Sequence, residues 1–195
     1  SAASDVYKRQ ALGFTALFGG LILLPLYLQN VLGRSAFVTG LVVLPGGLAM
    51  GLLGPIVGRL YDRLGARPLV LPGAIALSAS LWMFTTLGAS SPLWEIVAIH
   101  VVLMASLAMM FTPLMTSSLG SLPAHLYSHG SAILTTLQQV AGAAGTALFI
   151  TVMTLASLDA AGGVDMTGLR AAFVTAAVIS LLVVLLAFFA GRGRT

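Results

Sequence analysis

An apolar run of about 20 residues recurs six times along this chain of 195 residues, at 11–31, 37–58, 69–88, 93–118, 131–156 and 169–190. About 20 residues of α-helix, rising 1.5 Å each, cross the ~30 Å hydrocarbon layer of a bilayer. In lipid every backbone N–H and C=O must be satisfied internally, which long apolar runs achieve as helices. The charge content agrees. Charged residues make up 7% of the chain, hydrophobic residues 58%, and the mean hydropathy is +1.05. A soluble domain carries about 25% charged residues. So few charges cannot cover a water-facing surface, and the chain needs the bilayer as solvent.

The breaks between runs carry turn chemistry. They are Gly33-Arg34-Ser35, Asp62 to Pro68, Ser90-Ser91-Pro92, Pro123 to Gly130, and Asp159 to Asp165 with Gly162-Gly163. With the N-terminus in the cytoplasm, Lys8, Arg9, Arg59, Arg63, Arg67, Arg192 and Arg194 fall inside, against Arg34 and Arg170 outside. That asymmetry predicts two cytoplasmic termini. Residues 1–10 are polar and read as a leader, either non-native or an ordinary segment ahead of the first helix. Residues 11–190 read as the six-helix unit and 191–195 as a cytoplasmic tail. The net charge of +4 is scattered near helix ends, which suits a membrane surface and not nucleic acid. With no cysteine, disulfides and thiolate metal sites are excluded, and no cofactor is implied.

Patterns inside the spans name candidate functional residues. In the second helix Gly40, Gly47, Gly51, Gly54 and Gly58 share one face, which reads as close helix packing or as a surface for sliding. In the fifth, Ser131, Thr135, Gln138, Gly142, Gly145 and Phe149 share a small-and-polar face. Gln138 there either lines a cavity or bonds to a neighbouring helix, and Gln139 points about 100° away. Glu95 reads as a wet carboxylate at the outer boundary or as a proton or cation site. His100 shares a face with Met104, Ala108 and Phe111, and reads as a hydrogen-bonded core histidine or a titrating one. Gln29 and Asn30 are interfacial or at an outer mouth. Met104, Met109, Met110 and Met115 are core filler or an adaptable wall. His125 and His129 lack a third ligand, and Gly88-Ala89-Ser90-Ser91 lacks a partnering histidine, so zinc chemistry and serine catalysis are not expected.

One segment carries a specific resemblance. Gly58-Arg59-Leu60-Tyr61-Asp62-Arg63-Leu64-Gly65-Ala66-Arg67 resembles the signature loop of the major facilitator superfamily, matching at Gly58, Asp62, Arg63, Gly65 and Arg67. It departs at Ala66, where many members have a basic residue. Leu26-Tyr27-Leu28-Gln29-Asn30-Val31-Leu32-Gly33, Thr39-Gly40-Leu41, Leu44-Pro45, Gly130-Ser131-Ala132 and Gln138 to Gly145 are similar to the C-terminal half of the fourteen-helix drug/proton antiporters. Together these cover residues 11–190.

The resemblance implies an all-α membrane protein, a six-helix bundle that is half of a major facilitator fold. It implies a bacterial inner-membrane exporter of small amphipathic, drug-like compounds in exchange for protons. The partner would be a missing N-terminal half of six to eight helices. Asp62, Arg63 and Arg67 would latch the cytoplasmic side in the outward-facing state. Gln29, Glu95, His100, Gln138 and Gln139 are the candidates for a substrate or proton pathway. Two alternatives stay open: a complete six-helix transporter acting as a homodimer, and a non-transporting membrane interaction protein.

Overall fold

A computed structural model describes residues 21–120, 123–157 and 164–189. The leader at 1–10, the first half of the first expected span and the tail at 191–195 lie outside the described residues. Helix α1 is an apolar segment, Leu21–Val31, whose last turn Tyr27–Val31 widens to a π-helix. Helices α2 (Ala36–Leu64), α3 (Arg67–Thr86), α4 (Leu93–Gly120), α5 (Tyr127–Ala156) and α6 (Met166–Phe189) follow. Each of these five is long and apolar enough to cross a membrane.

Local chemistry sets the helix ends. Gly33, at φ +60°, closes α1 while Arg34 N–H reaches back to Leu28 O at 2.9 Å, a glycine-terminated C-cap. Ser35 starts α2, its hydroxyl accepting from Val38 N–H at 3.3 Å. Asp165 starts α6 by accepting from Gly168 N–H at 2.7 Å, where its charge also meets the favourable end of the helix dipole.

Two expected boundaries need correction. The segment from Asp62 to Pro68 is not a loop. Helix α2 runs on to Leu64 and α3 begins at Arg67, leaving Gly65 and Ala66 as the junction. The helix continues past the hydrocarbon layer because its polar last turn needs water, not a change of fold. Similarly, α5 begins at Tyr127, so His129 lies in its first turn and not in a loop.

Helix order in space differs from order in sequence. Helix α2 packs on α4, α4 on α3, α3 on α6 and α6 on α5, whereas α2 and α3, like α4 and α5, barely touch. The neighbour order is a row, α2–α4–α3–α6–α5. Its middle holds the core: Leu77, Leu81 and Phe84 of α3, Ile96, Leu103 and Leu107 of α4, and Leu169, Phe173 and Ala176 of α6. Leu23, Leu24, Tyr27 and Leu28 of α1 complete it. Phe84 and Phe173 stack at 5.3 Å, 11° from parallel, near the offset arrangement that aromatic pairs favour.

The ends of the row are bare. The apolar window of α2 is 17% buried against 56% for α4, and Phe37, Leu41, Leu44, Leu48, Leu52 and Ile56 are exposed along it. The glycine stripe shares this exposure. Nothing lies within 4 Å of the side-chain position of Gly40, Gly47, Gly51 or Gly54. Close packing of the stripe is therefore not met among the described residues. Packed glycines lie elsewhere, among them Gly46, against α4, and Gly73, whose side-chain position is 2.9 Å from Met110 Cγ and 3.1 Å from Ser106 O.

Candidate functional site

The α2–α3 junction depends on one backbone conformation. Gly65 has φ +78° and ψ −175°, and its N–H reaches Tyr61 O at 2.8 Å. That region of backbone space belongs to glycine, since a Cβ would clash with its own chain. The turn lets α3 start with only two residues between it and α2, with Pro68 in its first turn, where a missing N–H costs nothing.

This sharp turn gathers charged residues at one end of the helices. Asp62 and Arg63 occupy the last turn of α2, Arg67 is the first residue of α3, and all three are exposed. Arg63 suits its place, because cations favour the C-terminal end of a helix dipole, and Asp62 sits against that dipole. Asp62 does not cap α3 either, because Ala66 holds the cap position without a side-chain bond. Among the described residues no ion pair joins Asp62 to Arg63 or Arg67. The junction thus presents an unpaired carboxylate between arginines. Gly58, one turn earlier, is half-buried and meets Thr112 Cγ2 of α4 at 3.9 Å, ordinary contact distance.

The polar residues within the spans do not converge on one point. Glu95 is half-buried in the first turn of α4, close enough to interact with the Tyr27 phenol. Tyr27, fully buried, donates to Gly88 O at 2.6 Å, and Arg170 of α6 reaches Leu87 O at 3.4 Å. These contacts tie α1, the α3–α4 turn and α6 together at the helix ends opposite the junction. Gln29 is exposed on the final turn of α1 and joins none of them. The neighbouring Asn30 is exposed too, bonding back to Leu26 O at 3.1 Å.

His100 is 1% exposed in the α2–α4 seam, and its Nδ1 has no hydrogen-bond partner. Gln138 is half-buried and directs Nε2 to Met115 Sδ of α4 at 3.9 Å. A thioether is a weak acceptor, so this bridge leaves most of the amide available. Gln139 is exposed. The small-and-polar face of α5 divides along its length: Gly142, Gly145 and Phe149 are buried, and Ser131 and Thr135 are exposed. Beside the open part, Ala132, Ile133, Thr136, Leu137 and Val140 line a shallow groove. Met104 and Met110 are core filler, whereas Met115 meets Gln138.

Sequence reasoning missed Tyr27, Gly46 and the serine pair Ser78 and Ser180. Gly46 was overlooked because it lies off the stripe. Its place one turn before Met50, on the face opposite Leu44 and Leu48, was the available signal.

Comparison with known proteins agrees with this architecture. Residues 9–146 match the family model described as Major Facilitator Superfamily. The chain is 39% identical over 194 residues to the lincomycin resistance protein LmrB of Listeria monocytogenes, covering 94% of this chain and 41% of that protein. It is 36% identical to the protein of the same name from Bacillus subtilis, covering 90% of this chain and 39% of that one. A multidrug resistance protein B homolog of Mycobacterium tuberculosis is 33% identical over 140 residues, 71% of this chain and 26% of the relative. The chain thus spans about two fifths of the length of the first two relatives. It is an integral membrane protein that belongs to the major facilitator superfamily, with the helices of a half-fold.

Proposed function

We propose that this chain is the C-terminal half of a drug exporter that expels amphipathic, drug-like compounds in exchange for protons. The N-terminal half, of six to eight helices, packs on the bare faces of α2 and α5, and substrate binds between the halves. In this family the halves are related by an axis along the membrane normal and rock about a midplane site. The observation that carries the reading is the α2–α3 junction. Asp62 is exposed, unpaired among the described residues and set against the dipole of its own helix. Such a carboxylate gains most from a partner outside the chain, which suits a latch between halves that forms in one state and breaks in the other. The drug-resistance names of the relatives support the substrate class.

Within this half, Gln29, Glu95, His100, Gln138 and Gln139 are the candidates for the pathway, with Gln138 and His100 best placed by burial. Both termini lie in the cytoplasm of a bacterial plasma membrane, so the junction faces inward.

The test is transport by the full-length protein in proteoliposomes under an imposed pH gradient, with lincomycin and a fluorescent organic cation as probes. Expected are gradient-driven accumulation, proton counterflow, and about a tenfold or greater loss in Asp62→Asn at unchanged thermal stability, as follows from losing a charge-assisted bond of about 1.5–3 kcal/mol. Accumulation without a gradient overturns the antiport. Transport by this chain alone overturns the half-transporter reading and favours a homodimer.

A further inference from the structure

We propose that His100 is a proton-binding wedge whose charged form drives α2 away from α4. The ring is buried, and its Nδ1 is a buried side-chain nitrogen without a partner. It faces the backbone of α2: a side chain on Gly46 would begin inside the space taken by Nδ1, and 2.9 Å from Met104 Cγ. The helices approach here because position 46 has no side chain. The N–H groups of α2 at this level are bonded within the helix or, at Pro45, absent, and the Leu41 carbonyl that Pro45 leaves without its helix bond does not partner Nδ1.

Nor, among the described residues, does any charged group face it. Those on α2 are Arg59, Asp62 and Arg63, with Tyr61 also titratable, all at least thirteen residues from Gly46. That is about 20 Å along the helix. Helix α3 offers Arg67, at its far cytoplasmic end. Helix α5 offers Tyr127 and His129 in its exposed first turn, α6 Arg170 and α1 Tyr27, both at the helix ends opposite the α2–α3 junction. Glu95 of α4 itself lies about 7.5 Å toward that same end and about 140° around the helix.

A proton taken from water onto Nδ1 makes an N–H and a charge that the closed seam cannot serve. Water or a carboxylate reaches it once α2 moves off. Proton binding and seam opening are therefore linked, and each favours the other. Its part in transport rests on the antiport reading above; the seam response itself does not.

The experiment uses the full-length protein in nanodiscs, spin-labelled at Leu64→Cys on the exposed last turn of α2 and Thr116→Cys, exposed near the end of α4, with distances measured from about pH 8 to about pH 5, the range of histidine titration. In the unsubstituted background the longer-distance population grows as pH falls. His100→Gln holds the short distance throughout, and Gly46→Ala enlarges the long population at every pH. A pH-invariant distribution, or a response retained in His100→Gln, overturns the proposal. Nitrogen NMR of the histidine rings follows Nδ1 without substitution, so a folding failure of His100→Gln leaves a deciding measurement; an Nδ1 signal constant over the range sinks the wedge. Substrate-driven proton flux on the same preparation separates the two readings. Flux without a seam response defeats the wedge alone, and a seam response without flux defeats the antiport alone.

Discussion

The Ser180 hydroxyl of α6 lies 2.9 Å from that of Ser78 on α3, both residues buried, and 2.6 Å from Ala177 O one turn back. The pair bridges the middle of the row, in the same helix contact as the Phe84–Phe173 stack. Interhelical hydrogen bonds in bilayers average about 0.6 kcal/mol, because a helix apart in the membrane also finds partners. Ser180→Ala is expected to cost about that much, and adding Ser78→Ala to cost little more. Ser180→Val overfills the contact and costs about 1–3 kcal/mol. A double-mutant cycle of unfolding in mixed micelles checks this; fully additive single effects would mean the hydroxyls do not act on each other.

Gly65→Ala is expected to lower stability by about 1–3 kcal/mol, the cost of forcing a side chain into a glycine backbone region. No atom lies within 4 Å of the side-chain position, so the loss comes from the backbone and not from a clash with neighbours. Larger residues should therefore behave like alanine. A loss that grows with side-chain size in thermal unfolding would contradict this.

Gly73 and Gly51 should part company. Alanine at Gly73 meets Met110 and the Ser106 carbonyl and is expected to cost about 1–3 kcal/mol. Alanine at Gly51 meets nothing among the described residues, and helix propensity favours it by up to about 1 kcal/mol, so the net loss is expected to be smaller than at Gly73. Thermal stability of the two variants in the full-length protein gives the comparison. Equal losses at both sites would mean that the N-terminal half proposed over α2 packs on the stripe as tightly as α4 packs on Gly73.

Orientation is open to chemical labelling. Ser90→Cys, in the exposed turn between α3 and α4, is expected to react with an impermeant thiol reagent added to intact cells. Leu64→Cys, 54% exposed at the end of α2, should react after the membrane is opened. The reverse pattern would place the arginine-rich junction outside, against the charge asymmetry.

The spans were legible because length and hydropathy are local properties, and the five fully described helices fall where the apolar runs predicted. Asp62 to Pro68 was misread because polar residues signal the end of the hydrocarbon layer, which is not the end of a helix. The glycine stripe showed a shared face but not what that face meets. Its spacing is identical whether the neighbour is α4 or something outside the chain. Gln138 illustrates the same limit: bridge and cavity were both legible, and the bridge to Met115 depends on a residue 23 positions away. The seating of His100 on Gly46 was beyond reach of sequence, since it needs the knowledge that α2 pairs with α4 and not with α3.

That interleaving of helices bears on how the chain is made. Spans leave the ribosome and enter the bilayer in sequence order, yet α5 finds its main packing partner in α6, which is synthesised after it, and α3 is enclosed on its second side by the same late arrival. Until α6 is inserted, Ser78 and Phe84 face lipid, and α5 lies beside helices it scarcely touches. A ribosome halted before Met166 would hold a set of inserted but unassembled spans, the natural moment for a quality-control protease or an insertion chaperone to engage them.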